Sequence, residues 1–179
     1  MMTYRWRYET PDGFGDMLMS SDGRVLTGLR FAGFRDASGR TSDCEERDLP
    51  VFRETRRWLD VYFSGGQPNF IPPYSSENLT PFRKEVRDIM LAVPFGKTTT
   101  YGEIAGVLAK KRGIAKMSAQ AVGGAVGWNP LCIIVPCHRV VGVNAGLTGY
   151  GGGIENKIAL LAHEGNDVTK YMVPKIEQL

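Results

Sequence analysis

Residues 131–140 read Leu131-Cys132-Ile133-Ile134-Val135-Pro136-Cys137-His138-Arg139-Val140. The apolar run from Leu131 to Val135 predicts a buried strand, and Pro136 marks where that strand leaves the core. At this exit stand one of three cysteines and one of two histidines in a chain of 179 residues. A thiolate is a nucleophile, and a neighbouring imidazole or positive field favours the anion. A cysteine at a strand end also packs well as a small inert hydrophobe. Cys-His adjacency by itself leaves both readings open.

Immediately upstream, Ser118-Ala119-Gln120-Ala121-Val122-Gly123-Gly124-Ala125-Val126-Gly127 predicts a helix of small residues that ends near Asn129-Pro130. Glycine costs a helix interior about 1 kcal/mol against alanine, so two in succession ask for a reason. Close approach to something large, such as a nucleic-acid backbone, is one. Tight packing on another helix is the other. Before it, Thr100-Tyr101-Gly102-Glu103 matches a capping box, and the basic stretch Lys110-Lys111-Arg112-Gly113 closes the helix it starts. The two short helices in succession predict a helix-turn-helix, whose second helix would face DNA. Thr80-Pro81 predicts an N-cap and first turn for a further helix with Phe82, Val86, Ile89, Met90 and Val93 on one face. Downstream, Glu155 to His163 predicts a last helix stopped by Gly165, with a surface tail from Asn166.

The N-terminal part reads differently. Arg24 to Phe31 alternates as a strand, and Asp12-Gly13 and Asp22-Gly23 are turn signals, so a small antiparallel sheet is expected. Asp36 to Asp48 is polar and predicts a loop. Apolar residues from Phe52 to Phe63 recur near helical spacing until Gly65-Gly66. Residues 64–80 are rich in proline and serine and read as a linker. The domain boundary is therefore placed between 1–79 and 80–179.

Composition narrows the class. A hydrophobic fraction of 42% supports a real core. No apolar run reaches the ~18 residues of a membrane span, and the N-terminus has no signal-peptide core, so a cytoplasmic protein is expected. Three cysteines without metal spacing argue against a disulfide framework or zinc knuckle. The net charge of +3 splits unevenly: residues 1–79 hold 10 arginines against 12 acids, and residues 80–179 hold 12 bases against 7 acids. The basic half is the half with the Cys-His pair, which suits a polyanion partner, although so small an imbalance also fits an ordinary solvated surface.

Four blocks in order then resemble the O6-alkylguanine-DNA alkyltransferases. They are Ala121-Val122-Gly123-Gly124-Ala125 with Asn129-Pro130, Ile133 to Gly142, Thr148-Gly149-Tyr150 with Gly152-Gly153, and Leu160-Leu161-Ala162-His163-Glu164-Gly165. Residues 1–79 match only loosely, chiefly through Trp58-Leu59-Asp60-Val61-Tyr62-Phe63. The fold implied is α+β: a small N-terminal ribonuclease-H-like α/β domain, then a mostly helical C-terminal domain with a helix-turn-helix.

The resemblance also implies roles. Cys137 would be the alkyl acceptor, His138 its base through a water, Glu164 the group that orients the imidazole, and Asn129 the brace of the turn. Tyr101, Gly102, Gln120, Arg139, Val140, Tyr150 and Gly151 would contact DNA or the flipped base. Gln120 stands where many members carry an arginine finger, and Gly151 where some carry serine. The partner implied is double-stranded DNA carrying O6-alkylguanine, bound through the minor groove. No cofactor is expected, because the thiol is the acceptor. No metal site is expected either, since Cys44 stands without a histidine before His138. One lesion per chain asks for no partner subunit, so a monomer is expected. The rival readings are a sensor that binds alkylated DNA without chemistry and a cysteine hydrolase of acyl substrates.

Overall fold

The computed structural model describes residues 2–33, 44–77, 79–147 and 149–173. Within these it is a mixed α/β structure that divides into two compact units. One is Met1–Glu77 with Pro130–Ile134, and the other is Asn78–Asn129 with Val135–Leu179. The chain thus returns to the first unit for the five residues that the sequence assigned to the C-terminal half.

In the first unit β1 (Thr3–Tyr8), β2 (Met17–Ser21) and β3 (Leu26–Phe31) form an antiparallel meander. A fourth strand, β4 (Cys44–Glu46), adds to β1 in parallel, for the order β3-β2-β1-β4. The alternation of the sequence sets the buried face: Met17 pairs with Phe31 and Met19 with Leu29, and all four are inside. Of the predicted loop Asp36 to Asp48, residues 36–43 lie outside the described residues. Cys44–Glu46 is a correction, because three residues are enough to pair with β1 but too few to show an alternation. Helix α1 (Pro50–Phe63) takes proline at its first turn and buries Val51, Phe52, Thr55, Trp58, Leu59 and Tyr62 along one stripe. Full burial of side chains such as Phe52 and Leu59 stabilises by roughly 1.5–3 kcal/mol each. The one hydroxyl in that stripe, Thr55 Oγ1, donates to the Val51 carbonyl at 2.7 Å, so it is not stranded.

The predicted strand over Leu131 to Val135 is also corrected. Only Leu131 bridges, to Leu29, with Leu29 N–H donating to the Pro130 carbonyl and Cys132 N–H to the Leu29 carbonyl, both at 2.8 Å. The chain then turns at Ile133, whose φ is +70°. Ile134 N–H donates to the Cys132 carbonyl at 2.9 Å and closes a γ-turn of the strained, positive-φ kind. Hydrophobicity of the run reports burial alone, and every residue from Leu131 to Val135 is indeed buried.

In the second unit α2 (Pro81–Leu91) is capped by Thr80, whose hydroxyl accepts from Arg83 N–H, and buries Val86 and Met90. Helix α3 (Tyr101–Arg112) opens on a complete capping box between Thr100 and Glu103. Residues 113–118 lead to α4 (Ala119–Gly127), which buries Val122, Ala125 and Val126. Helix α5 (Ile154–His163) comes last. Two short strands, β5 (Thr99–Thr100) and β6 (Val140–Val141), pair in parallel. That pairing brings the start of α3 alongside the residues that follow Arg139. Within the expected tail, Met172 bridges Gly146, and Tyr171 packs on Val141, Leu147 and Leu161.

Candidate active site

Cys137, His138 and Arg139 form a single 3-10 turn. Pro136 introduces it with φ −80° and ψ 62°, and Cys137 N–H donates to the Val135 carbonyl at 2.8 Å, an inverse γ-turn. Asn129, just past the end of α4, is the brace. Its Nδ2 donates to the Val135 carbonyl at 2.9 Å and to Cys137 Sγ at 3.0 Å. One amide therefore fixes both the turn and the thiol. Cys137 keeps only 6% of its surface exposed, so the residue is enclosed. A cleft of about 420 Å³ lies elsewhere, in the first unit, lined by Trp6, Arg7, Tyr8, Glu9, Glu46 and Arg56. None of these residues was assigned to the site.

His138 is wholly buried, and its Nε2 lies 2.7 Å from Glu164 Oε1. The carboxylate can only accept here, so Nε2 carries the proton and Nδ1 presents its lone pair. Nδ1 is buried without a protein hydrogen bond. Burial holds the His138 pKa below its ordinary value, and the Glu164 hydrogen bond offsets only part of that effect. The imidazole is thus neutral at neutral pH and able to act as a base.

Glu164 caps α5. Burial opposes its charge, yet hydrogen bonds from His138 and Arg139 outweigh burial and bring its pKa down to about 2. Its Oε2 also accepts from Gly96 N–H at 3.1 Å. Gly96 could not be another residue without cost. Its φ is +74°, and a Cβ there would sit 2.8 Å from the Glu164 carbonyl oxygen.

The sequence reading gave Arg139 to DNA, and here its guanidinium is held inside the unit. Its Nε donates to Glu164 Oε2 at 2.9 Å, its Nη2 to Oε1 at 2.9 Å and its Nη1 to the Val93 carbonyl at 2.6 Å. The side chain is 11% exposed. A guanidinium held by a bidentate carboxylate and a carbonyl is an internal clamp.

The other assigned residues fall as follows. Tyr101 is half-buried at the first position of α3, and Gly102 beside it is exposed. Gln120 is exposed on α4 together with Ala121, Gly124 and Gly127. A Cβ at Gly124 or Gly127 would meet nothing within 4 Å, so these glycines do not serve packing against a neighbouring helix. The Val140 side chain is sealed, and its carbonyl accepts from Lys157 Nζ at 2.7 Å. A second lone pair remains on that carbonyl. Tyr150 is half-buried, Gly151 is exposed, and a Cβ on Gly151 would meet nothing within 4 Å. Thr148 lies outside the described residues.

The sequence reading missed Lys157. It is 1% exposed, although lysine on a helix normally reads as solvated. The available signal was its spacing, since Lys157, Leu160, Leu161 and Glu164 share the i, i+3, i+4, i+7 stripe.

A braced cysteine, a neutral imidazole with a buried carboxylate behind it, and a mixed α/β scaffold define the class: a protein whose chemistry centres on an activated thiol. Comparison with known proteins specifies it. A family model described as the DNA-binding domain of 6-O-methylguanine DNA methyltransferase matches residues 81–166. A methylated-DNA–protein-cysteine methyltransferase of Methanosarcina acetivorans is 38% identical over 161 residues, 89% of this chain and 96% of the relative. One of Mycobacterium tuberculosis is 39% identical over 158 residues, 88% of this chain and 91% of its own. The crystal structure of the Mycobacterium tuberculosis O6-methylguanine methyltransferase superposes with a TM-score of 0.75 at 37% identity, covering 91% of this chain and 93% of that one. A structure of the Mycobacterium tuberculosis protein in complex with DNA gives 0.74 at 35% identity, covering 94% of each. The chain belongs to the methylated-DNA–protein-cysteine methyltransferase family.

Proposed function

We propose that this chain repairs alkylated DNA by moving the alkyl group of O6-alkylguanine, methyl foremost and with O4-methylthymine as a second lesion, onto Cys137. The Cys137 thiolate attacks the O6-bound carbon. An S–C bond forms, the C–O bond breaks, and guanine leaves as its anion and takes up a proton. Attack at saturated carbon needs no oxyanion hole of the acyl-transfer type. The thioether has no leaving group for water to displace, so each chain acts once. His138 Nδ1 takes the thiol proton through a water, and Glu164 holds the imidazole in the tautomer that leaves Nδ1 free. The observation that carries this reading is the Asn129 amide on Cys137 Sγ at 3.0 Å in the same unit as the His138–Glu164 pair.

A base in a stack must be extruded to reach an enclosed thiol. Helices α3 and α4 are read as a helix-turn-helix whose second helix lies in the minor groove, and the open space over Gly124 and Gly127 supports close approach of the backbone there. Gln120 fills the gap left by the flipped base. Tyr101 presses on the target phosphate. Tyr150 walls the pocket. The backbone of Val140 and Gly151 reads the base edge. The first unit is read as a ribonuclease-H-like domain, a reading that its antiparallel meander with one parallel strand supports. The protein acts as a monomer without a cofactor. No helix among the described residues is long and apolar enough to cross a membrane.

The test is to incubate the protein with a duplex carrying one O6-methylguanine and to map the added methyl by peptide mass. Stoichiometric methylation at Cys137 is expected. Lesion binding without modification would replace the reading with that of a sensor.

A further inference from the structure

The residues after α5 carry no role in the scheme above, yet they return to the loop around Tyr150, residues 142–147 and 149–153. That loop begins with a strained turn. Asn144 and Ala145 stand at φ +55° and +56°, the two left-handed central positions of a turn of the type I′ kind. The turn's own bonds are Gly146 N–H to the Val143 carbonyl at 3.2 Å and Gly142 N–H to the Gly146 carbonyl at 2.6 Å. A residue such as Ala145 keeps this conformation only where its surroundings over-determine it. The tail supplies those surroundings. Met172 N–H donates to the Ala145 carbonyl at 3.1 Å, and Leu147 N–H donates to the Met172 carbonyl at 2.9 Å, a parallel bridge that straddles Gly146. Val168 and Tyr171 pack on the buried cluster of Val141, Leu147 and Leu161.

The tail is itself rooted on α5. Asn166 N–H and Nδ2 both donate to the Leu161 carbonyl, at 3.0 and 3.1 Å. Asp167 Oδ1 accepts from Thr169 N–H at 3.2 Å and starts the 3-10 turn Val168–Lys170. The Tyr171 hydroxyl donates back to Asn166 Oδ1 at 3.4 Å. The far end of the loop is held by the start of α5. There Gly153 N–H donates to the Tyr150 carbonyl at 2.9 Å, and Asn156 Nδ2 donates to the Gly152 carbonyl at 2.7 Å. Leu147 stands three residues before Tyr150, so the tail fixes the end of the loop that α5 leaves to it.

The geometry points to Val168–Met172 as a strap that positions the Tyr150 loop and thereby sets the size of alkyl group that reaches Cys137. This rests on the reading in which Tyr150 walls the pocket and Cys137 is the acceptor. A wall held at both ends keeps the pocket small and favours methyl over a bulkier group. A wall released at one end admits the bulkier group and orients the small one less well. The backbone of Met172 makes both bridging bonds, while its side chain is 57% exposed.

The test compares the native full chain with Met172→Pro and Met172→Ala. Proline removes the N–H that bonds the Ala145 carbonyl. Tyr171 before it is already extended at φ −88° and ψ 136°, as a residue before proline requires. Alanine keeps the N–H and is expected to match the native chain throughout. Single-turnover transfer to Cys137 is followed by peptide mass on duplexes carrying O6-methylguanine or O6-benzylguanine. Amide exchange is followed in peptides spanning 142–153. In Met172→Pro the exchange is expected to be about fivefold faster, the effect of one lost neutral hydrogen bond, and the benzyl-to-methyl rate ratio to rise by about the same factor. Thermal melts report folding of each variant separately. An unchanged ratio overturns the proposal even where both rates fall, because a merely destabilised fold slows both alike. Unchanged exchange overturns it too, as does the same shift in Met172→Ala. Absence of methyl on Cys137 in the native chain overturns the repair reading instead, and the exchange comparison still decides whether the strap holds the loop.

Discussion

His138 Nε2 and Glu164 Oε1 meet at 2.7 Å, with the Glu164 carboxylate also gripped by Arg139 through Nε and Nη2. One carboxylate thus serves two partners from the same 3-10 turn. It sets the tautomer of the imidazole and neutralises the guanidinium beside it. Replacing it by an amide keeps the shape and loses both. In Glu164→Gln the rate of methyl transfer to Cys137, followed by single-turnover mass measurement, is expected to fall by about two orders of magnitude, the scale of a misoriented general base. Thermal stability falls as well, because Arg139 is left buried without its anion.

The same carboxylate makes stability depend on pH. Its pKa is depressed in the fold, from 4.5 to about 2, so its contribution is fully present above the unfolded value of 4.5. That contribution, roughly 3 kcal/mol, is lost as pH falls from 4.5 through about 2. Urea midpoints taken across this window are expected to drop in the native chain and to drop less in Glu164→Gln.

Asn129 holds two groups with one nitrogen. In Asn129→Ala the Val135 carbonyl and Cys137 Sγ both lose the amide that donates to them. Removing a partner from buried polar atoms costs about 1–3 kcal/mol, and a denaturant titration should read a loss in that range. Alkyl transfer should fall further than stability explains, measured as the rate on fully folded protein.

Gly96 sits against the Glu164 backbone. Gly96→Ala requires an L residue at φ +74° and a Cβ 2.8 Å from a carbonyl oxygen. A loss of about 1–3 kcal/mol is expected from the backbone conformation alone, read as a lowered melting temperature.

Gln120 lies exposed on α4 and carries no charge. If α4 is the DNA-facing helix, Gln120→Arg adds one phosphate-neutralising cation. The slope of log affinity against log salt should then steepen by about 0.9, measured by fluorescence anisotropy on duplex DNA. An unchanged slope would remove Gln120 from the interface.

Local signals in the sequence were legible because their physics is local. The Thr100–Glu103 capping box, the Thr80-Pro81 start and the small-residue helix after Ser118 each satisfy or strain backbone within a turn, and each stands where the residues indicate. The Leu131 to Val135 run was misread because apolar side chains record burial but not φ, and Ile133 at +70° makes a turn of it. β5 and β6 were invisible, since two residues each show no alternation and their pairing joins positions 41 apart in sequence.

From the residues alone came the chemistry available: one cysteine beside one histidine, a carboxylate near the end of a helix, an asparagine before a proline, and the family these blocks resemble. Tertiary structure decided which charges meet. Lysine, arginine and glutamate look the same in sequence whether they face water or one another. Only the packing of α5 beneath the Cys137 turn takes Glu164, Arg139 and Lys157 out of water, and loss of hydration then forces each to find a partner. Desolvation is a property of the neighbours that a side chain acquires on folding, and its place along the chain offers at most a helical stripe, as for Lys157.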